Sequence, residues 1–430
     1  MRRTIQPKGL LLPSFTSAPE LVYIVQGRGM LGLMIPGCPE TFESISQQQQ
    51  QQEPWHGEQE QQQQRGERSE RSERGMRGGF QDQHQKIRRF RRGDVLALPA
   101  GIAHWVYNDG DEPMVDVILV DTSNNLNQLD QDIPRRFYLA GKPEVEHEKH
   151  QRHRGDREGQ KRGREGRRGE RNVGNIFSGF DTRILAESFG VSEETARKLQ
   201  SEEDERGNIV NVHEGLHVVR PPRRLDEREE RQSRRGRDEA DNGVEETFCS
   251  ARLIEQLDDP ERADVYTPHA GRLSTLNSYN LPILQLLRLS AEKGVLYRNA
   301  VMAPHYNLNA HDIVYCVEGR ARIQIVNDQG NRVFDDELSK GQLVVVPQNF
   351  AVVKQATEEG FEWISFKTSE NAMFQTLAGR TSAIRAMPVE VISNIYQIPR
   401  DQAQQLKFSR PETTLFRSRN RGHQGRAIDA

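Results

Sequence analysis

The stretch Gly93-Asp-Val-Leu-Ala-Leu-Pro99 recurs later in the chain as Gly341-Gln-Leu-Val-Val-Val-Pro347. Each is an apolar run of strand length between a glycine and a proline, the residues that punctuate strands. Two other pairs recur in the same order: Glu20-Leu-Val-Tyr-Ile-Val-Gln-Gly27 with Asp312-Ile-Val-Tyr-Cys-Val-Glu-Gly319, and Arg183–Ser192 with Glu390–Pro399. Along the chain, the separation between the copies is 292 residues at Glu20, 248 at Gly93 and 207 at Arg183. It falls each time the first copy carries extra polar sequence that the second copy lacks. The chain is therefore predicted to be a duplicated unit.

Within each unit, strand patterns come first and helix patterns follow. Arg320–Val326 and Arg332–Leu338 flank the glycine-containing turn Asn327–Asn331, which predicts a β-hairpin. Ser192, followed by the acidic Glu193, is typical of a helix N-terminus. We expect a mainly β protein with two jelly-roll barrels, each followed by a small helical arm.

The composition separates folded stretches from polar inserts. The chain has 430 residues, a formal charge of −3 and 34% hydrophobic residues. Stretches rich in Gln, Arg, Glu and Gly are too poor in apolar residues to order themselves, and they are predicted to be disordered. These stretches are the inserts 44–86 and 144–171, the linker 223–242 and the tail 417–430. The arginines alternate with carboxylates, so nucleic acid is not expected as a partner. No apolar run is long enough to predict a membrane span.

The cysteines and the N-terminus leave alternatives open. Cys38, Cys249 and Cys316 allow one disulfide and one free thiol, or three free thiols. Cys316 lies in an apolar strand pattern, so it is predicted to be an inert core thiol rather than a nucleophile. The chain enters a strand pattern at once, without a secretory signal, and we expect that its natural N-terminus lies upstream. The sequence has no P-loop, nucleophile elbow or dinucleotide fingerprint.

The spacing Gly-x5-Pro-x-Gly-x2-His-x3-Asn is met in the first copy by residues that fall in register: Gly93, Pro99, Gly101, His104 and Asn108. This pattern resembles the second motif of the cupin superfamily. In cupin enzymes, three histidines and a glutamate bind a metal inside the barrel. The resemblance implies that each copy is one cupin barrel.

Most of the metal ligands that the resemblance implies are replaced. The first copy keeps Glu20 and His104 but has Pro13 and Phe15 at the two other histidine positions. In the second copy the corresponding residues are His305, Asn307, Asp312 and Val352. Divalent iron or manganese needs more imidazole and carboxylate donors than these. We therefore expect no catalytic metal, no cofactor and no enzyme activity. His104 is predicted to be a hydrogen-bonded barrel histidine, and an adventitious site of His305, His311 and Asp312 stays open.

Several segments narrow the resemblance to the legumin-type (11S) seed storage globulins. They are Ile35–Phe42, Asn242–Cys249, Gln83–Ile87, Gly207–Val210, Arg298–Asn307, Val344–Phe350 and Ser382–Arg385. The resemblance implies a bicupin with a first barrel (1–43 and 87–143) and its arm (172–222), and a second barrel (243–368) and its arm (369–416). The two extra cysteines that are usual near the start of the family's acidic chain are missing.

The resemblance also implies how the protein is made and used. An asparaginyl endopeptidase would cut between Asn242 and Gly243, and a Cys38–Cys249 disulfide would join the products. The partners would be identical or related storage subunits, forming trimers and then hexamers, reached by the secretory route to the protein storage vacuole. The implied function is a reservoir of nitrogen and carbon, which suits the Gln- and Arg-rich inserts. The alternatives are a metal-dependent bicupin enzyme and a saccharide-binding bicupin.

Overall fold

A computed structural model describes residues 1–38, 87–129, 135–141, 174–201, 206–216, 249 and 251–417. The inserts predicted at 44–86 and 144–171, the linker at 223–242 and residues 418–430 of the tail lie outside the described residues. The described part is mainly β, as the sequence predicts, and its strands form curled sheets in two barrels. Among the described residues, no helix is both long and apolar enough to cross a membrane.

The first barrel consists of two sheets. Its strands are β1 (Arg2–Ile5), β2 (Gly9–Thr16), β3 (Glu20–Gln26), β4 (Arg28–Met34), β5 (Ile87–Arg91), β6 (Asp94–Leu98), β7 (Ala103–Tyr107), β8 (Met114–Val120) and β9 (Arg136–Tyr138). One sheet has the order β1-β8-β3-β6, and the other has β2-β7-β4-β5 with β9 also paired to β2. Buried aliphatic side chains between the sheets form the core, among them Leu21, Leu31 and Val95.

The second barrel has longer strands, which join into one curled sheet. Its strands are β12 (Val265–Thr267), β13 (Gly271–Leu276), β14 (Ser290–Leu296), β15 (Val301–Asn307), β16 (Asp312–Val326), β17 (Arg332–Ser339), β18 (Leu343–Val346), β19 (Ala351–Lys367) and β20 (Phe374–Thr376). The short helix α3 (Leu284–Leu287) lies between β13 and β14. Strands β16 and β17 pair on either side of Asn327–Asn331, which confirms the predicted hairpin.

The helical arms lie where the duplication places them. The first arm holds α1 (Thr182–Phe189) and α2 (Glu193–Gln200), after the 3-10 turn Ile176–Gly179. The second holds α4 (Ala383–Ala386), α5 (Val389–Tyr396) and α6 (Arg400–Phe408), and another 3-10 turn spans Pro260–Arg262. Helices α1 and α5 begin 207 residues apart, as do α2 and α6. Ser192 caps α2, because its hydroxyl accepts a hydrogen bond from the Thr195 N–H at 3.2 Å.

Three short strands cross the predicted domain boundaries. Strand β10 (Ile209–Asn211), from the first arm, pairs with β2, and β21 (Leu415–Phe416), from the second arm, pairs with β15. Strand β11 (Ile254–Gln256) falls in the range predicted for the second barrel, 243–368, but pairs with β6 of the first. Without β11, strand β6 would lie at a sheet edge with unpaired backbone groups. By its hydrogen bonds, this segment therefore belongs to the first barrel.

Candidate functional site

The first barrel brings together the two metal-ligand residues of the cupin motifs that it retains. Glu20 on β3 and His104 on β7 are both buried, and His104 Nε2 lies 3.9 Å from Glu20 Oε2. The other ring nitrogen of His104 has only a long contact, 3.5 Å, with the Ile102 carbonyl. Burial lowers the pKa of His104 to about 4, with the Glu20 carboxylate opposing that effect. The imidazole is therefore neutral at ordinary pH.

An arginine that sequence reasoning missed completes this interior. Arg136 on β9 donates hydrogen bonds to the Glu20 carboxylate and, at 3.0 Å, to Ser14 Oγ. Ser14 lies across from His104 in the sheet as His305 lies across from Val352 in the second barrel. The lost histidine positions are therefore Ser14 and Thr16, and the assignment to Pro13 and Phe15 was wrong by one residue because the spacing before Glu20 is one residue shorter. The barrel thus supplies hydroxyl groups and a cation where a metal-binding cupin supplies imidazoles, while Phe15 stacks on Phe137 with ring centroids 5.1 Å apart.

The second barrel buries its motif residues completely. His305 and Asn307 on β15 and Asp312 at the start of β16 have no exposed surface, and Val352 lies directly across from His305 in the sheet. His305 Nδ1 is 2.8 Å from the Ala303 carbonyl. Burial first, and then the Lys354 ammonium, lower the pKa of His305 to about 3. The imidazole is therefore neutral.

Two lysines inside the barrel, which sequence reasoning also missed, carry the positive charge. Lys367 Nζ donates to Glu292 Oε2 at 2.7 Å and to Asn307 Oδ1 at 3.3 Å. Lys354 Nζ lies 3.8 Å from Asp312 Oδ2 and 5.0 Å from the centroid of the Trp363 ring. Burial lowers the pKa of Lys354, and the nearby carboxylates oppose this effect. Burial disfavours ionisation of Glu292, but Lys367 and Lys354 outweigh it and lower the pKa of Glu292.

These residues do not fit the metal that the cupin fold implies. Among the described residues, no three His, Cys, Asp or Glu side chains are grouped closely enough to hold a metal ion. His311, named in the open alternative, is exposed at the surface, whereas His305 is buried inside the barrel. The buried carboxylates have lysine or arginine beside them instead. We therefore derive no metal chemistry for either barrel.

A cavity of about 470 Å³ opens beside Pro99 and Gly101 of the first barrel. Its lining is mostly apolar and includes Phe15, Phe137, Pro99, Ile102 and Leu129. A saccharide site needs several convergent polar groups, whereas the polar side chains of this lining are only Thr16, Ser17 and Gln128. The geometry therefore does not favour the saccharide-binding alternative.

The cysteines separate into one bonded pair and one free thiol. Cys38 and Cys249 form a disulfide, with their Cα atoms 5.3 Å apart. Cys316 is free and buried, and its thiol lies 3.4 Å from the Gly319 carbonyl. Burial raises the pKa of Cys316 to about 12, so the unreactive thiol form dominates. The predicted processing residues, Asn242 and Gly243, lie outside the described residues.

Comparison with known proteins gives the family. The cupin family model matches residues 1–144 and 255–404. The 11S globulin seed storage protein 1 of Carya illinoinensis is 53% identical, over 98% of this chain and 83% of its own length. The 11S globulin of Juglans nigra is 54% identical, over 97% of this chain and 83% of its own. The crystal structure of the coconut allergen cocosin superposes with a TM-score of 0.77 at 43% identity, covering 97% of this chain and 89% of that one.

This chain is more than half identical, over nearly its whole length, to proteins named for seed storage. That similarity agrees with the structure, in which other side chains fill most metal-ligand positions of the two barrels. The chain is a storage protein and not an enzyme. It belongs to the 11S globulins, the seed storage proteins built from two cupin barrels.

Proposed function

We propose that this storage globulin is packed in the protein storage vacuole as hexamers of two stacked trimers. The observation that carries the proposal is a set of apolar side chains left exposed on both arms. Ile184 and Phe189 of α1 are 60% and 54% exposed, and Val391 and Tyr396 of α5 are 43% and 50% exposed. Exposed apolar residues that cluster on one element are typical of surfaces that meet a partner.

The two arms expose equivalent positions. Ile184 and Val391 lie 207 residues apart, as do Phe189 and Tyr396, and all four side chains are exposed. The inward residues between them are equivalent too, since Leu185 and Ile392 are both buried. One chain therefore presents similar apolar surfaces from both of its halves. A head-to-tail contact that reuses such surfaces closes into a ring if the rotation fits, and a trimer is the ring that we propose.

Sedimentation velocity of the purified chain tests the trimer. The wild type should sediment as a species of three times the chain mass of 49.3 kDa. The double variant Ile184→Glu/Val391→Glu should sediment as a monomer, because both substitutions place charge in the contact. Tyr279→Glu, at a more exposed site outside the arms, should remain trimeric. A monomeric wild type, or a trimeric double variant, would contradict the proposal.

Maturation is the second part of the proposal: an asparaginyl endopeptidase cuts between Asn242 and Gly243, and the cut trimers stack into hexamers. The Cys38–Cys249 disulfide supports it, because it ties the segment just after the cut to the first barrel. A disulfide also suits an oxidising secretory route to the vacuole. Treatment with the endopeptidase should yield a product that begins at Gly243, and Asn242→Gln should stay uncut. Cleavage elsewhere, or equal cleavage of the variant, would contradict this site.

A further inference from the structure

Each barrel retains an acidic residue at the motif position where cupin enzymes bind metal, and each sets a basic side chain against it. In the first barrel, Arg136 hydrogen-bonds to Glu20. In the second, Lys354 Nζ lies 3.8 Å from Asp312 Oδ2. Both carboxylates are almost fully buried. A buried carboxylate without a compensating charge is strongly unfavourable, so each pairing has an evident physical reason.

The two cations come from positions that are not equivalent. The residue 248 positions before Lys354 is Val106, a buried apolar side chain of the first barrel. Conversely, Arg136 is the first residue of β9 and lies across from Thr16, whereas the first residue of the corresponding strand β20 is Phe374, which lies across from Asn307. The duplication therefore did not copy one arrangement into both barrels. Each barrel meets the same electrostatic demand with its own side chain.

The surrounding donor atoms in the second barrel still resemble an unfilled coordination shell. His305 Nε2 and both Asp312 carboxylate oxygens are buried and have no hydrogen-bond partner among the residues that the structure describes. The ammonium of Lys354 is the cation beside Asp312, and its chain fills the space next to Val352, two residues earlier on the same face of β19. A divalent ion at this place would find the space occupied by the lysine side chain and would be repelled by its ammonium group.

We propose that Arg136 and Lys354 are resident cations that take the place of the metal ion in the two barrels. Lys354 also closes the second barrel to divalent metals. On this account, loss of the metal was accompanied by replacement of its charge, and the acidic motif residue was kept because a fixed cation balances it.

Cobalt binding tests the closure by Lys354. Val352→His restores the missing imidazole directly across from His305, and Lys354→Ala removes the cation. The double variant Val352→His/Lys354→Ala should bind one Co²⁺ per chain, measured by titration calorimetry and visible absorption. Val352→His alone should bind Co²⁺ at least about tenfold more weakly, because the ammonium repels it. Lys293→Ala combined with Val352→His is the matched control, since Lys293 is equally buried but pairs with Glu362. Equal affinity of Val352→His and the double variant would overturn the proposal.

Charge compensation gives a second test that does not depend on the alanine variants folding. Lys354→Met keeps the volume and leaves Asp312 unbalanced, so its melting temperature should fall. Adding Asp312→Asn should restore most of that loss, because no uncompensated charge remains. Arg136→Met should be rescued by Glu20→Gln in the same way. If the second substitution restores nothing in either barrel, the basic side chains do not act as counter-cations and the proposal fails.

Discussion

The hydroxyl of Tyr23 donates a hydrogen bond to Asp258 Oδ1 at 3.0 Å, which joins β3 to a residue beyond the proposed cut at Asn242. Asp258 directly follows the segment whose strand β11 pairs with β6, and the Leu257 N–H bonds to the Gly93 carbonyl at 2.9 Å. The segment after the cut is thus hydrogen-bonded into the first barrel. Backbone pairing and the disulfide therefore hold the two halves together independently.

The disulfide should be needed for stability but not for association of the halves. In the uncut chain the disulfide joins residues 211 positions apart. Loss of a cross-link over that distance costs about 5 kcal/mol of unfolding free energy in the chain-entropy model. Cys38→Ser should therefore lower the free energy of unfolding by up to about that amount. After cleavage, the Cys38→Ser halves should still co-elute under native conditions and separate only on a non-reducing denaturing gel. Halves that separate under native conditions would show that the strand pairing is too weak to hold them.

Tyr23→Phe should weaken the contact between β3 and Asp258. It removes one hydrogen bond to a charged acceptor, which costs about 1.5–3 kcal/mol in unfolding free energy when it is buried. Arg92 and Lys293 remain near Asp258, so the loss should lie at the lower end. Urea unfolding measures it. Tyr279→Phe, at a residue that is 80% exposed, is the control and should change nothing measurable. Equal effects of the two variants would contradict the role of this hydrogen bond.

Gly294→Ala should be among the most damaging small substitutions. Gly294 lies across from Trp363 in the sheet, and an added Cβ would lie 2.0 Å from the indole Cζ2. Overpacking of a tight core costs about 1–3 kcal/mol. Gly179→Ala is the matched control, because an added Cβ there would meet no atom of the described residues within 4 Å. Thermal unfolding compares the two, and a melting temperature for Gly294→Ala as high as that of the control would show that the sheet has room.

Asp94 should make the fold less stable as the pH rises. Burial raises the pKa of Asp94 to about 6, although the Arg91 N–H donates to its carboxylate at 2.7 Å. A raised carboxyl pKa means that the folded state binds more protons, so stability falls as the pH rises from about 4 to about 6. Asp94→Asn should add up to about 3 kcal/mol at pH 7.5 and nothing at pH 3.5. Urea unfolding at both values checks this.

The second barrel has a neutral amide at the position equivalent to Asp94, which indicates that Asp94→Asn would be accommodated. The equivalent residue, Gln342, accepts a hydrogen bond from the Ser339 N–H at 2.7 Å with a neutral amide oxygen. A stability gain of the same size at both pH values would contradict the titration of Asp94 and indicate a packing effect instead.

Local signals in the sequence predicted much of the fold. The recurring stretches located both barrels and the arm helices, because glycine, proline and capping residues act within a few residues of their own position. Ser192 and the hairpin turn at Asn327–Asn331 are two cases. Strand β11 could not be found this way, because its partner β6 lies in the other unit of the repeat. A tertiary pairing leaves no local pattern.

The interior cations were missed for a different reason. Charged residues in a strand are ordinarily assigned to its solvent face. Lys354 lies two residues from Val352, however, and both face the interior because side chains alternate along a strand. Strict use of that alternation would have placed the lysine inside the barrel. Arg136 carried no such signal, since β9 has only three residues and neighbours the polar insert.

The amount of this chain in the vacuoles of its source seed, followed by quantitative mass spectrometry from maturity through germination, tests the storage role most directly. A storage globulin should be a major protein of the mature seed, and both of its halves should disappear early in seedling growth, as their nitrogen is used. A scarce chain, or one whose amount stays constant while the seedling grows, would contradict the account.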